Sequence, residues 1–130
     1  TTPGISRKVI TVGSSDDHQA VTVCGASMVD YSGRGPTSGC VCKPDVVAPG
    51  ASVVSCGVMN RKGSRAYGVK SGTSMATPVV SGAIALLLEQ EPELTPKDVK
   101  LRLREGTVDL GLPRNQQGWG MIHLARLLKG

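Results

Sequence analysis

The length, composition and charge of this chain exclude several classes of protein before any motif is considered. Its 130 residues suffice for one globular domain, and 39% hydrophobic with 19% charged residues argue against a disordered chain. The longest apolar run, residues 83–88, is far shorter than the ~20 residues that a membrane-spanning helix needs. We therefore expect one globular domain without a transmembrane segment.

The net charge of +5 raises the question of an anionic partner. The basic residues are scattered along the chain, and only Tyr31, Tyr67 and Trp119 could stack on bases. Solvated basic faces explain the charge equally well. We therefore expect no nucleic-acid partner, and a basic nucleic-acid-binding domain is kept as an alternative function.

The chain has four cysteines, which are too few for a disulfide-dense scaffold. Cys40 and Cys42 are separated by one residue, whereas a zinc knuckle has two residues between its cysteines. Free thiols are the simplest interpretation of Cys24, Cys40, Cys42 and Cys56. One or two disulfides, or a zinc site assembled from distant ligands, are the alternatives.

Several short segments of the first half have the composition of strands. Residues 8–13 are dense in β-branched side chains and end at a glycine, which predicts a buried strand of a parallel sheet. The glycine-rich residues 32–36 predict a loop. The other candidate strands are residues 19–24, 43–47, 51–56 and 67–70.

The second half begins with a long helical pattern. Apolar residues recur every three or four positions over residues 75–90, and no charge interrupts them before Glu89. The pattern predicts a helix that is buried nearly all round. Pro92 is expected to end it.

Two shorter helices are predicted after the long one. Thr95 is a good helix cap, Pro96 suits the first helical position, and Asp98 favours the positive end of the helix. These residues predict a helix over residues 96–104, and a last short helix is expected over residues 122–128. Strands and helices together in a chain of this size predict a layered α/β fold.

The segment of residues 71–78, SGTSMATP, opens the long helix and has the composition of a nucleophile site. A hydroxyl in the first helical turn lies beside unpaired N–H groups and the positive end of the helix dipole. Such N–H groups can stabilise the oxyanion that develops when a serine attacks a carbonyl. The alternative is that these Ser and Thr residues only cap the helix.

Residues 71–78 are followed by the apolar stretch VVSGAIALLL and preceded by YSGRGP at 31–36 and KPDVVAPG at 43–50. QGWG at 117–120 closes the series. In this order, the stretches resemble the subtilisin-like serine proteases, the subtilases. The resemblance implies a three-layer fold in which a parallel sheet is flanked by helices, with residues 1–130 as the C-terminal portion of the catalytic domain. It also implies a serine-type endopeptidase that acts through an acyl-enzyme.

The resemblance implies roles for individual residues. Ser74 matches the family nucleophile, its backbone N–H would donate to the oxyanion, and Thr73 would support the same oxyanion hole. Gly72 would let the substrate backbone approach, and Met75 would place its thioether beside the reacting centre. The segment that walls the pocket for the substrate side chain before the scissile bond is matched by Thr2, Pro3 and Gly4.

The residues that activate the serine in this family have no counterpart in the chain. The Asp motif, the H-G-T-H-like motif and the oxyanion Asn of the family are missing, and neither His18 nor His123 is expected to replace the base. The chain alone is therefore predicted to be inactive. Its expected partners are the N-terminal half of the catalytic domain and a peptide or protein substrate. The alternative is a catalytically dead interaction module of the same fold.

Some subtilases bind a cation close to the segment that corresponds to residues 4–9. Here the ligands would be the main-chain carbonyls of Gly4, Ser6 and Val9 with the carboxylate of Asp45, which suits a weak Ca²⁺ or Na⁺ site. In the alternative, Asp45 is hydrogen-bonded to loop backbone. No cofactor is expected to be required.

The remaining expectations concern the start of the chain, its oligomeric state and its cellular location. It begins with TTPGISRK, without an initiator Met, as a piece of a longer polypeptide would. Loss of a covering segment would bare apolar surface, so a homodimer of the fragment is expected. Family analogy favours secretion, while four cysteines without an evident disulfide framework leave the cytoplasm open.

Overall fold

The computed structural model of the chain describes residues 2–16, 27–28, 33, 35–58, 63 and 65–129. Five strands form the main sheet, in the spatial order β2, β1, β3, β7, β6. These strands are β1 (Val12–Asp16), β2 (Ser27–Met28), β3 (Val46–Pro49), β6 (Thr107–Val108) and β7 (Met121–Ile122). The three central strands, β1, β3 and β7, run parallel, and the two edge strands pair antiparallel.

A separate two-stranded hairpin is formed by β4 (Val53–Cys56) and β5 (Tyr67–Lys70). Val53 lies opposite Lys70 in its antiparallel register. Both strands are predicted from their composition, but composition does not show that they form a sheet of their own among the described residues. The hairpin leaves Val54 and Val69 largely exposed.

The first strand begins later than its composition predicts. The β-branched run suggested residues 8–13, whereas β1 covers Val12–Asp16. Residues 8–11 are not part of a strand and make contacts of another kind, because the Thr11 N–H donates to Asp45 Oδ2 and the Val9 carbonyl accepts from Lys43 Nζ. The strand predicted at 43–47 likewise begins at Val46. The strand predicted at 19–24 lies outside the described residues.

Four helices follow, namely α1 (Thr73–Gln90), α2 (Pro96–Glu105), α3 (Arg114–Gln117) and α4 (Leu124–Lys129). The cap predicted for α2 is present, since Thr95 Oγ1 accepts from the Asp98 N–H and Asp98 Oδ2 accepts from the Thr95 N–H. The last helix begins two residues later than predicted, because Ile122 belongs to β7. No helix in the described ranges is long and apolar enough to cross a membrane.

One apolar core joins the central sheet to three helices. The long helix contributes a single stripe to it, with buried residues at spacings of four, three and four, so the prediction that this helix is buried nearly all round is wrong. Beside this stripe, Val79 and Leu86 are 40% and 43% exposed. The difference arises because the sheet and α4 cover only one side of α1. The core residues are Val46, Ala48, Ala76, Val80, Ala83, Leu87, Val99, Leu103 and Leu127.

Candidate active site

The first turn of α1 is held against the end of β3 by backbone and side-chain hydrogen bonds. The Gly72 N–H donates to the Gly50 carbonyl at 2.8 Å, and Ser71 Oγ accepts from the Ser52 N–H at 2.7 Å. Gly72 is the N-cap and has φ of 151°, a backbone conformation that favours glycine. A methyl group at Gly50 would collide with Ser14 Oγ and with the Gly72 carbonyl. The helix start is therefore fixed by close approach of two glycines.

The helix begins without a side-chain cap, which leaves donors at its first turn. The Met75 and Ala76 N–H groups donate to the Gly72 carbonyl, at 2.9 and 3.3 Å. The N–H groups of Thr73 and Ser74 have no hydrogen-bond acceptor among the described residues. Two donors and the positive end of an 18-residue helix thus meet at one place, where negative charge is stabilised.

Ser74 is exposed at this turn, and its hydroxyl has no hydrogen-bond partner in the described part of the chain. Thr73, which precedes it, is partly buried, and its carbonyl accepts from Thr77 Oγ1 at 2.9 Å. Met75 is also partly buried. The local geometry therefore presents the hydroxyl of Ser74 to solvent and keeps its neighbours packed.

His123 is not hydrogen-bonded to Ser74 in the structure. His123 is exposed immediately before α4, where its Nδ1 accepts from the Arg126 N–H at 3.3 Å. This side chain therefore helps to cap α4. His18 lies outside the described residues.

A cavity of about 360 Å³ adjoins the start of α1. Thr73 lines it from the helix and Gly4 lines it from the N-terminal segment, so the fold brings together two of the predicted site residues that are far apart in sequence. Thr2 and Pro3 are exposed and do not line this cavity, nor do Gly72, Ser74 and Met75.

The loop of residues 35–44 supplies much of the cavity lining, and sequence reasoning gave it no role. Gly35, Pro36 and Thr37 face the cavity together with Lys43 and Pro44. The loop is held by its own hydrogen bonds, because the Gly35 N–H donates to the Lys43 carbonyl at 2.8 Å. The Gly-Pro pair in YSGRGP was the available signal, since it marked a turn beside the motif.

Asp45 lies at the start of β3 and is 8% exposed. Its Oδ2 accepts from Lys43 Nζ at 2.7 Å and from the Thr11 N–H at 2.8 Å. Lys100 Nζ lies 3.8 Å from Oδ1 and donates to the Arg7 carbonyl at 2.7 Å. Partial burial lowers the pKa of Lys100, while the charge of Asp45 acts to raise it and the charge of Lys43 to lower it further.

The cysteines in the described part of the chain are free thiols. Cys40, Cys42 and Cys56 are exposed. Among the described residues, no group of three or more His, Cys, Asp or Glu side chains is arranged to hold a metal ion. Cys24 lies outside these residues.

The comparisons with known proteins agree with the motifs. The model of the subtilase family matches residues 1–120. The chain belongs to the subtilase family. Its relatives include the serine protease AprX of Bacillus subtilis, which is 44% identical over 114 residues, or 81% of this chain and 26% of AprX. Halolysin of Haloferax mediterranei is 43% identical over 62% of this chain and 15% of its own length.

Solved structures place this subtilase in the same fold class. The CspB protease of Clostridium perfringens superimposes with a TM-score of 0.78 and 32% identity, covering 98% of this chain and 28% of the protease. Fervidolysin of Fervidobacterium pennivorans gives a TM-score of 0.76 and 26% identity, over 99% of this chain and 20% of fervidolysin. The α/β subtilisin-like fold predicted from the motifs is thus confirmed. The chain spans about a quarter of the length of AprX.

Proposed function

We propose that residues 1–130 form the nucleophile-bearing C-terminal portion of a subtilisin-like serine endopeptidase, in which Ser74 attacks the scissile carbonyl of a peptide or protein substrate. The observation that carries this proposal is the first turn of α1. There the exposed Ser74 hydroxyl lies beside the N–H groups of Thr73 and Ser74, which the helix does not use. Family membership supports the same chemistry.

The proposed reaction uses these groups in order. The Ser74 Oγ attacks the carbonyl carbon as a base removes its proton, and the resulting oxyanion accepts from the Ser74 N–H. Collapse of the tetrahedral intermediate expels the amine and leaves an acyl-enzyme at Ser74, which water hydrolyses. Thr73 supports the oxyanion hole, Gly72 admits the substrate backbone, and Met75 packs beside the reacting carbonyl.

The cavity gives this site a place for a substrate side chain. Gly4 and Thr73 line it from opposite ends of the sequence, next to the proposed nucleophile. We assign to this cavity the side chain that precedes the scissile bond. Thr2 and Pro3 extend the Gly4 wall and contact the substrate at its outer edge.

The base, its orienting carboxylate and the oxyanion Asn come from the N-terminal half of the catalytic domain in this proposal. His123 is engaged in capping α4, and Ser74 has no histidine partner among the described residues. We expect the chain alone to have no appreciable peptidase activity. The exposed face of α1, with Val79 and Leu86, is the surface on which the N-terminal half packs. When that half is absent, a second copy of the chain is expected to cover the same face.

Labelling by a fluorophosphonate probe tests the proposal. The purified chain is treated alone and after mixing with the upstream half of its catalytic domain, and the labelled protein is identified by mass spectrometry. Labelling of Ser74 only in the mixture supports the proposal. Ser74→Ala abolishes the label, whereas the matched control Ser81→Ala, at an exposed serine two turns further along α1, leaves it unchanged.

A catalytically dead interaction module of the same fold is the second candidate. It is favoured by the lack of a histidine partner for Ser74 within the described ranges. Co-folding of the two halves without any label at Ser74 would select this function. Co-folding is followed by size-exclusion chromatography with light scattering, which also reports a dimer of the isolated chain.

We further propose that the complete protein is secreted. Family analogy carries this proposal, since one relative, 32% identical over 81% of this chain, is named minor extracellular protease Vpr. The three exposed free thiols favour a reducing compartment instead. Fractionation of the native host, with an antibody against this chain, distinguishes the culture medium from the cytoplasm.

A further inference from the structure

We propose that the ammonium groups of Lys43 and Lys100 take the place of a bound cation and hold the segment of residues 4–11 against Asp45. The Gly4 and Val9 carbonyls and the Asp45 carboxylate, which were expected to ligate Ca²⁺ or Na⁺, do not fit a metal ion, because protein donors already use them. We call Lys43, Lys100 and Asp45 the clamp, and its role in holding residues 4–11 is independent of catalysis. Its consequence for substrate binding rests on the function proposed above, since residues 4–11 wall the cavity.

Lys43 provides the first half of this clamp. Its side chain is 7% exposed, and Nζ donates to Asp45 Oδ2 at 2.7 Å and to the Val9 carbonyl at 3.1 Å. A buried ammonium needs a counter-charge and hydrogen-bond acceptors, and Asp45 and Val9 supply both. The single positive charge therefore bridges β3 and the N-terminal segment, as a cation would.

Lys100 provides the second half from α2. Nζ donates to the Arg7 carbonyl at 2.7 Å and lies 3.8 Å from Asp45 Oδ1. Two carbonyls of the same segment, two residues apart, thus each accept from a different ammonium. Asp45 is placed between the two positive charges.

Three of the four groups predicted to ligate the cation, namely the Gly4 and Val9 carbonyls and the Asp45 carboxylate, already accept hydrogen bonds from protein donors. The Val9 carbonyl and Asp45 Oδ2 accept from Lys43, and the Gly4 carbonyl accepts from Thr11 Oγ1 at 2.5 Å. Ca²⁺ requires six to eight oxygen ligands at about 2.3–2.6 Å, and an ammonium in the same place repels it. Lys43 and Lys100 account for the contacts to Asp45 and to the Val9 and Arg7 carbonyls, and Thr11 accounts for the contact to the Gly4 carbonyl.

The clamp reaches the cavity through Thr11. This residue donates its N–H to Asp45 Oδ2 and its hydroxyl to the Gly4 carbonyl, and both Gly4 and Thr11 line the cavity. A displacement of Asp45 is therefore transmitted to the cavity wall. Lys43 and Lys100 are positioning residues for that wall.

The wild-type chain gives the first test. Its thermal unfolding midpoint is measured in NaCl, KCl or CaCl₂ and in tetramethylammonium chloride, whose cation is too large for the site, at equal ionic strength. We expect midpoints that agree within about 1 °C, because the lysines already occupy the position. A rise of about 4 °C or more that is specific for Na⁺, K⁺ or Ca²⁺ would show a metal site and overturn the proposal.

Substitutions of Lys43 give the second test. Lys43→Ala leaves a charged cleft, so we expect its midpoint to rise by about 4 °C or more in KCl or NaCl relative to tetramethylammonium chloride. Lys43→Met fills the same space without charge and is expected to show no such rise. Lys97→Ala, at an exposed lysine of α2, is the matched control and should behave as wild type.

Amide hydrogen exchange of Thr11 reports directly on the cavity wall that Gly4 and Thr11 form. We expect exchange to be at least about tenfold faster in Lys43→Ala and to slow again in KCl. If the Lys43 variants do not fold, Lys100→Met at the 21% exposed second lysine is measured in the same way and is also expected to exchange faster. Wild-type protection in the folded variants, with no dependence on cation, would overturn the proposal. Ser74→Ala must leave these readouts unchanged, so failure of the clamp and failure of the catalytic proposal are separable.

Discussion

The first turn of α1 and the Lys43–Asp45 pair are both polar, but their hydrogen-bonding groups are used differently. Ser74 is exposed, and its hydroxyl and the N–H groups of Thr73 and Ser74 have no partner among the described residues. Lys43 and Asp45 are buried, and their polar atoms are bonded to each other and to backbone. The comparison shows that the polar groups without partners are the ones proposed to act in catalysis. The hydrogen-bonded groups of Lys43 and Asp45 instead stabilise the fold.

The largest loss of stability is expected at the buried Lys43–Asp45 pair. Asp45→Asn removes the charge that faces Lys43 and leaves a buried ammonium without its counter-ion. Breaking a buried ion pair in this way costs about 3–5 kcal/mol of the free energy of unfolding. Urea denaturation measures the loss, with Glu93→Gln at an exposed position as the control. A loss no greater than that of the control would contradict the role given to the pair.

The next largest effect is expected at the close contact between Gly50, which follows β3, and the start of α1. Gly50→Ala places a methyl group against Ser14 Oγ and the Gly72 carbonyl, at the start of α1. We expect a loss of about 1–3 kcal/mol from overpacking and a reduced rate of labelling at Ser74 in the complemented domain. Gly82→Ala is the control, since no atom lies within 4 Å of the added methyl, and alanine is the better helix former. Equal stability of the two variants would contradict the tight contact.

A smaller effect is expected at the Thr95–Asp98 cap of α2, whose polar groups are hydrogen-bonded to each other but exposed to solvent. Hydrogen bonds from the Thr95 side chain and backbone lower the pKa of Asp98 below its ordinary value of 3.8. Because the folded-state pKa is the lower one, this carboxylate stabilises α2 above the unfolded-state pKa, and the contribution is lost as the pH falls through the folded-state value. Asp98→Asn should therefore flatten the pH dependence of the unfolding midpoint below about pH 4. If the unfolding midpoint of Asp98→Asn depends on acidic pH as strongly as that of the wild type, this assignment is refuted.

The smallest effect is expected at Ser74 itself. Ser74→Ala removes a hydroxyl that has no partner in the described part of the chain, so the free energy of unfolding should change by no more than about 0.5 kcal/mol. Calorimetry of the isolated chain measures it. A loss of more than about 1 kcal/mol would mean that the hydroxyl is engaged in structure, and the contrast between the two regions would fail.

Elements that depend on local pattern were predicted well from the sequence. The long helix and the Thr95–Asp98 cap follow from apolar spacing and capping chemistry, and the brief strand at Tyr67–Lys70 was also predicted. The predicted start of β1 is wrong, because β-branched composition does not distinguish a paired strand from an unpaired segment held by side-chain hydrogen bonds. The burial of α1 was overestimated for a similar reason, since apolar residues do not show which side is covered.

The sequence by itself determined the family, the α/β class and Ser74 as the candidate nucleophile, because these depend on short motifs whose residues are neighbours in the chain. Only the tertiary structure decided that Lys43 bonds to the Val9 carbonyl, 34 residues away, and that Gly4 and Thr73 line one cavity. Such contacts depend on how the strands are ordered in the sheet and on which backbone carbonyls point toward a buried charge. No local pattern of residue types encodes that geometry.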